Sequence, residues 1–559
     1  MCSSDLGPVM TSSLKVHIAL FLFLVAILGM AARLIQLEVQ EKDFLQDQGD
    51  ARTIRMQKIN AHRGMILDRR GDPLAVSSPV VSLWANPAEL PSDDDRLRTL
   101  ASGLGVSLDE FRDKMHRASG RNFVYLRRRI APLEADLILS LGMPGVYGEK
   151  EYHRFYPAGE VTSHVVGFTD IEDRGQEGVE LSFDHWLAGQ PGKKKVLKNL
   201  YGEVVKDLMP VAEALPGKNL QLSIDQRLQF LAYRELKSAV QQYEALSGSM
   251  VLLDVATGEI LAMVNQPSYN PNNRIQLDLG SVRNRAVTDV FEPGSTVKPL
   301  TVAIALGSGL PADFVVDTSP GFMKVGDAVI RDPRNRGSLD LGGILAHSSQ
   351  VGISRLALMI NEYDVWNLFQ KLGFGQVTGI GFPGESAGFL PNRRRWKDVE
   401  RVTFAYGYGL TVTPLQLAQA YQTIAAGGIK RMVSLVKDPQ IQEERVMPLD
   451  IAVALQGMLH RVVTEGTGKK AAIEAYEVAG KTGTARKLGD QGYDDQRHIA
   501  FFAGFAPLSS PRFVGVVVIN EPKTASVGGG SIAAPIFSRV MQSVLRLNSV
   551  PPDFVREAA

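Results

Sequence analysis

The sequence holds a single cysteine, Cys2, in 559 residues, so no intrachain disulfide can form and a disulfide-stapled fold is excluded. It also lacks an excess of charge of either sign. Its 61 Lys plus Arg stand against 60 Asp plus Glu, a net charge of +1, whereas chains built to hold nucleic acid carry a clear basic surplus. No His-Glu-x-x-His, no paired Cys-x-x-Cys and no EF-hand loop occurs, which removes the sequence case for a metal or a cofactor. Gly466-Thr467-Gly468-Lys469 imitates the end of a phosphate loop, but the glycine required five residues before Gly468 is replaced by Val463, and the stretch reads as a turn.

What is present is globular in kind. With 45% hydrophobic and 22% charged residues, the chain is neither collagen-like, coiled-coil nor disordered, and its length allows roughly three to four domain-equivalents. Residues 1–6 resemble a translated sequencing adapter more than a targeting signal, and no apolar stretch precedes Cys2 as a lipoprotein would require. The natural start is therefore expected at Met10, with residues 1–9 and Cys2 foreign.

One long apolar run stands out. Residues 16–32, bracketed by Lys15 and Arg33, reach the lower end of the ~17–25 residues that cross a bilayer. No small-x-small cleavage site follows, so the run reads as an uncleaved anchor over residues 16–34. Lys15 lies on the short side, whereas Glu38, Glu41, Asp43, Asp47 and Asp50 crowd the other, which places the bulk of the chain outside the cytoplasm. After the anchor the texture changes once. Residues 35–218 mix short strands and helices with charge clusters at 127–129 and 193–195, read as solvated faces. Residues 219–550 begin with apolar strands near Met250 and Glu259, pass through long helical stretches and return to strands near Phe501 and Phe513, the succession of an α+β domain with helices packed on an antiparallel sheet. Residues 551–559 read as a tail.

The sharpest chemical signal is Phe291-Glu-Pro-Gly-Ser-Thr-Val-Lys-Pro, which contains Ser295-x-x-Lys298. Pro293 and Gly294 suit the start of a helix, so Ser295 is expected at a helix N-terminus with Lys298 one turn on, facing the same side. A serine hydroxyl needs a base to become a nucleophile. A lysine serves if desolvation or nearby cations lower its pKa, while helix N-terminal N–H groups stabilise the oxyanion. Alone the motif is weak, and Ser12 to Lys15 supplies a chance copy beside the anchor. Ser348-Ser349-Gln350 and Lys481-Thr482-Gly483-Thr484 follow in order, and the three together form a constellation of serine acyl enzymes.

On these motifs the chain resembles the class B penicillin-binding proteins, in particular the septal, division-type peptidoglycan D,D-transpeptidases. Further matches are Arg63-Gly-Met-Ile-Leu-Asp-Arg-Arg-Gly-Asp-Pro-Leu-Ala75, Arg154-Phe-Tyr-Pro-Ala-Gly-Glu160, Gly175-Gln-Glu-Gly-Val-Glu180, Asp254-Val-Ala-Thr-Gly-Glu-Ile-Leu-Ala262, Tyr269-Asn-Pro-Asn-Asn273, Arg283-Asn-Arg285, Gly381-Phe-Pro-Gly-Glu385 and Tyr406-Gly-Tyr-Gly-Leu410. The resemblance implies one membrane helix, an elongated α+β pedestal of dimerisation type over 35–218 and a transpeptidase domain over 219–550, anchored in the bacterial inner membrane and facing the periplasm. It implies Ser295 as the acylated nucleophile, Lys298 as its base and Ser348 as proton relay to the departing D-alanine. Lys481, Thr482 and Thr484 would hold the substrate carboxylate, with the N–H groups of Ser295 and Thr484 as oxyanion hole. Tyr406 and Tyr408 would line the cleft. The implied partners are stem peptides ending in D-Ala-D-Ala, β-lactams, and division-complex membrane proteins including a glycosyltransferase. Gly483 is expected because a side chain would obstruct the acyl donor.

One position departs from the family pattern, with Gln350 where Asn is usual. Gln keeps the amide on a longer, freer stem, so hydrogen bonds to substrate and to Lys298 are expected with altered geometry and altered kinetics. Two other readings stand beside this one: a D,D-carboxypeptidase or β-lactam-hydrolysing relative, against which the anchor and the large non-catalytic module argue, and a weakly catalytic divisome scaffold or sensor. His347, Arg393 to Trp396, Arg486 and the run Gly528 to Gly530 are read mainly as structural.

Overall fold

The computed structural model describes residues 12–44, 53–198, 204–437, 441–489 and 492–554. The expected start at Met10 and the foreign Cys2 lie outside these residues. The apolar run forms the helix Ser12–Ile35, which continues through a π-helical turn over Gln36–Gln40. The membrane-spanning stretch is Leu14–Gln40, 27 residues with none of its apolar window buried by protein. At 1.5 Å per residue that is about 40 Å, enough to cross a ~30 Å hydrocarbon layer. It is longer than the 16–34 expected from apolarity because the helix runs on through Glu38 and Gln40, whose polar side chains suit the headgroup zone.

The rest divides into two compact units that alternate along the chain: residues 1–61, 81–151 and 190–215 form one, and residues 62–80, 152–189 and 216–559 the other. One of the divisions, between 215 and 216, falls close to the change of texture at 218, and two earlier segments, 62–80 and 152–189, join the second unit as well. In the first unit, Ile54–Ile59, Gly192–Lys198 and Val204–Ala212 form an antiparallel sheet. Its triple lysine, 193–195, sits on the middle strand, where Lys194 pairs with Asp207. A separate small core gathers Leu83, Leu100, Phe111, Ile130 and Ile138.

The second unit is organised by a five-stranded antiparallel sheet in the order Ile260–Gln266, Ser247–Asp254, Phe513–Asn520, Gly492–Ala506, Ala479–Gly489. Successive side chains of a strand point to opposite faces, and here both faces are covered. Met250, Leu252, Phe502 and Val517 belong to one core with the helices Gln226–Gln242 and Gly529–Leu547. Val251, Leu253, Phe501 and Val516 belong to the other, with Leu300, Leu345, Tyr421 and Leu459 from the remaining helices. Burial on both faces explains why the strands read as nearly unbroken apolar runs rather than strict alternation. The fold is the expected α+β arrangement, with a sheet between helical layers.

In the second unit, three stretches of the first half of the chain meet in a buried ionic cluster. Glu180, fully buried, takes the Arg63 guanidinium at 2.7 Å and that of Arg154 at 2.7 Å, and Arg63 also reaches Asp184 at 2.7 Å. Charges out of water are tolerable only when paired in this way.

Candidate active site

The Ser295-x-x-Lys298 stretch stands at the start of a helix. A 3₁₀ turn over Gly294–Val297 leads into the helix Lys298–Gly307. The turn is closed by the Thr296 hydroxyl, which donates to Pro293 O at 2.6 Å, and held from beneath by the Tyr421 hydroxyl, which donates to Thr296 O at 2.8 Å. Phe291 exchanges backbone hydrogen bonds with Val412 in both directions at 3.0 Å. Ser295 stays partly exposed while Lys298 is fully buried.

Lys298 carries the electrostatics of the site. Its Nζ lies 2.7 Å from Ser348 O, 3.4 Å from Ser349 O and 3.3 Å from Ser348 Oγ. Burial pushes its pKa down to about 7, against a partial lift from Asp332. A neutral amine has two N–H groups, which the two carbonyls accept, and its lone pair is then free to take a hydroxyl proton. The Ser295 hydroxyl makes no hydrogen bond among the described residues, and catalytic hydrogen bonds commonly tighten only once substrate is bound.

Ser348 ends the helix Leu341–His347 in the left-handed conformation, with φ 55 and ψ 37. For a residue with a Cβ this is a strained choice, and it turns both the carbonyl and the hydroxyl toward Lys298. The next helix, Gln350–Met359, is capped by Ser349, whose Oγ accepts from Gly352 N. Asp332 completes the turn, with Oδ2 accepting the Ser349 hydroxyl at 2.5 Å and Oδ1 accepting the N–H of Gln350 at 2.5 Å and of Val351 at 3.2 Å. Sequence reasoning did not single out Ser349 or Asp332; an isolated acid in a charged loop gives no signal of its own. The Gln350 side chain forms no hydrogen bond among the described residues, so the contact to Lys298 considered from sequence is absent and the backbone carbonyls of Ser348 and Ser349 take its place.

Lys481, Thr482, Gly483 and Thr484 lie on the edge strand Ala479–Gly489. Lys481 is fully buried, donates to Thr482 O at 3.2 Å, and has its pKa driven well down by burial and then by the charge of Lys298. Thr482 shares a hydroxyl hydrogen bond of 2.7 Å with Thr467, and the exposed Thr484 accepts Gly529 N–H at 3.0 Å. Gly483 is required for a reason the sequence did not reveal. It stands opposite Phe501 on the neighbouring strand, and a Cβ there would lie 1.9 Å from the Phe501 ring. That ring packs edge-on against Phe291 at 4.9 Å. Two glycines of the run at 528–530 are likewise steric, since a Cβ at Gly529 would meet Phe501 O at 2.2 Å and Gly483 O at 2.3 Å, and one at Gly530 would meet Thr467 O at 2.3 Å.

Tyr406 is buried beside this turn and contacts Tyr408 edge-on at 5.7 Å, and Tyr408 in turn contacts Tyr493 at 5.6 Å. His347 is half-buried, its imidazole pushed down by burial and by Arg336 and Arg334. Arg393 pairs with Glu400, Trp396 packs on Phe404, and Arg486 pairs with Asp495. Among the described residues no cluster of His, Cys, Asp or Glu is arranged to hold a metal ion.

A sheet between helical layers, with a Ser-x-x-Lys turn in front of a Lys-Thr-Gly edge strand and a Ser-Ser turn closing on the buried lysine, defines the penicillin-recognising serine acyl enzymes. The penicillin binding protein transpeptidase domain matches residues 248–542, and the penicillin-binding protein dimerisation domain matches residues 58–222. The chain is 45% identical over 538 residues to the peptidoglycan D,D-transpeptidase FtsI of Escherichia coli K12, covering 95% of this chain and 91% of that protein. Among solved structures, a peptidoglycan synthetase from Bifidobacterium adolescentis superposes with a TM-score of 0.71 at 25% identity, covering 90% of this chain and 99% of that one. Penicillin binding protein 3 from Mycobacterium tuberculosis, solved with aztreonam, gives a TM-score of 0.70 at 26% identity, covering 89% and 98%. The chain belongs to the class B penicillin-binding proteins, in the FtsI family of septal peptidoglycan D,D-transpeptidases.

Proposed function

We propose the following working of the site. The protein is a serine-type D,D-transpeptidase of peptidoglycan, held in the inner membrane by its N-terminal helix with the catalytic domain outside the cytoplasm. Residues 35–218 serve as pedestal and residues 219–550 as the transpeptidase domain. Lys298 takes the proton of the Ser295 hydroxyl, whose oxygen attacks the carbonyl of the penultimate D-alanine of a stem peptide. The N–H groups of Ser295 and Thr484 receive the oxyanion. Ser348 passes a proton to the departing D-alanine amine as the C–N bond breaks, leaving an ester on Ser295. An amine of a second stem peptide then attacks the ester, the new peptide bond forms and Ser295 is released. Lys481 and the hydroxyls of Thr482 and Thr484 hold the terminal carboxylate, whose negative charge draws the proton back onto Lys481 against the cost of burial. Gln350 and the Tyr406–Tyr408 pair border the bound peptide. β-Lactams are taken as mimics of D-Ala-D-Ala and trap the ester stage. Glycan strands come from a glycosyltransferase within the division machinery.

The observation that carries this reading is the buried Lys298 amine, within 3.3 Å of the Ser348 hydroxyl and one turn from Ser295. A fluorescent penicillin should label the wild-type protein covalently and fail on Ser295→Ala; equal labelling of both would overturn the assignment. Transfer is tested separately with a thioester donor and a D-amino acid acceptor. A product that is only hydrolysed, with the partner glycosyltransferase present, would mark a D,D-carboxypeptidase instead.

A further inference from the structure

Glu292 stands three residues before Ser295 and has no role in the chemistry above, yet two other segments of the chain converge on it. Its Oε1 accepts the Gly409 N–H at 2.9 Å, which ties the turn of the nucleophile to the loop that carries Tyr406 and Tyr408. The Tyr493 hydroxyl donates to both of its carboxylate oxygens, at 3.1 and 3.0 Å. The carboxyl is half-buried, and burial raises its pKa against the pull of these two donors. A carboxylate drawn part-way out of water is kept there by such hydrogen bonds.

Tyr493 reaches Glu292 through a break in the strand pairing. Along the edge strand Ala479–Gly489, Arg486 faces His498 but Lys487 faces Asp494, so residues 495–497 stand out of register. An irregularity of this kind bends the ladder and re-aims the side chains beyond it. The Tyr493 ring thereby lies edge-on to Tyr408 at 5.6 Å, and Tyr408 lies edge-on to Tyr406 at 5.7 Å. Arg486, paired with Asp495, stands 5.6 Å from the centre of the same ring. Although its hydroxyl is fixed, Tyr493 keeps 41% of its surface exposed. A ring held by its polar end presents an apolar face that loses little freedom when something packs on it.

We propose that Glu292 is a positioning residue for selectivity: it pins Tyr493 beside Tyr408, and the two rings form a wall for the apolar part of the ligand on the acyl side of the scissile bond. That part leaves the cleft along the edge strand beyond Thr484, away from the carboxylate held at Lys481. The proposal rests on the reading of Ser295 as nucleophile and of the Lys481 to Thr484 strand as carboxylate holder. Glu292 touches no reacting atom and acts through the Tyr493 ring.

The test measures the limiting rate and the half-saturating concentration of acylation on the full-length protein in detergent. Two compounds are compared: benzylpenicillin, which carries a phenyl group on its acyl side, and 6-aminopenicillanic acid, which carries none. Glu292→Ala should lower the second-order acylation constant for benzylpenicillin by about fivefold, chiefly through the half-saturating concentration, and that for the bare nucleus by less than about twofold. Tyr493→Phe keeps the ring and loses the hydroxyl; it should show the same selective loss, and adding it to Glu292→Ala should cost nothing further. Glu292→Gln keeps a carbonyl oxygen for both donors and should restore most of the preference for benzylpenicillin. Equal losses for the two compounds would make Glu292 a general support of the nucleophile turn and overturn the proposal, as would additive losses in the double variant. Wild-type protein that neither compound acylates, or that is labelled equally after Ser295→Ala, would overturn the reading of Ser295 and the proposal with it.

Discussion

Asp332 grips Ser349 from outside the motif: one carboxylate oxygen accepts the Ser349 hydroxyl while the other accepts two N–H groups at the head of the next helix. The same carboxylate lifts the pKa of Lys298. Replacing Asp332 with Asn keeps the volume but removes the charge and one acceptor. Acylation by penicillin should fall by about tenfold, the scale of one charge-assisted hydrogen bond, and the acidic limb of its pH profile should move to lower pH. A profile that keeps its midpoint would show that the carboxylate does not act on Lys298.

The wild-type profile has its own sign. With Lys298 titrating at about 7, acylation should decline as pH falls through 7 and level off above 8. The unfolded chain keeps the lysine proton to its ordinary 10.5. Between these values the unfolded state binds more protons, so this group's contribution makes the fold gain stability as pH rises from 7 toward 10 and nothing further changes above that. Lys298→Arg, which stays charged, should lower acylation by about 10²- to 10⁴-fold. A flat rate from pH 6 to 9 would contradict the assignment of Lys298 as base.

Gly483→Ala forces a methyl group into the Phe501 ring. Overpacking of this sort costs about 1–3 kcal/mol, and because Phe501 also supports Phe291 the loss should extend to acylation. Thermal unfolding should shift down, and the double variant Gly483→Ala with Phe501→Leu should recover part of both losses. No recovery would mean that the ring is not the obstacle.

The contrast between Lys298 and Asp332 shows what the sequence exposes. Ser295, Lys298, Ser348 and Lys481 were legible because each sits in a short motif whose spacing is set by a helical turn or a strand. Asp332 and Phe501 were not, since their importance arises from a tertiary approach and a strand register that place them beside Ser349 and Gly483. The helical layers on both sheet faces could be anticipated from the order of elements. The return of residues 62–80 and 152–189 to the second unit could not, because nothing local marks Arg63, Arg154 and Glu180 as partners. At Gly483 the structure adds a requirement that no local pattern shows, since its Cβ would strike Phe501.

Glu180→Ala should test the buried cluster. It leaves the Arg154 guanidinium without its carboxylate and Arg63 with Asp184 alone, and breaking such a buried pair costs about 3–5 kcal/mol. A melting temperature within a degree of wild type would show that the cluster relaxes freely.

Gln350→Asn shortens an amide that makes no hydrogen bond among the described residues. With one rotatable bond fewer to order, acylation should rise by about two- to threefold. A fall would show that the longer stem suits the bound ligand better.

A Cβ on Gly407 would lie 2.2 Å from Gly294 O, and the Gly294 N–H donates to Gly407 O at 3.0 Å. The loop that carries the tyrosines and the turn that carries the nucleophile are thus lashed backbone to backbone, with no side chain to exchange at the knot. A substitution at either glycine would disturb both segments at once, so variation that preserves the position of Ser295 has to fall elsewhere in the site.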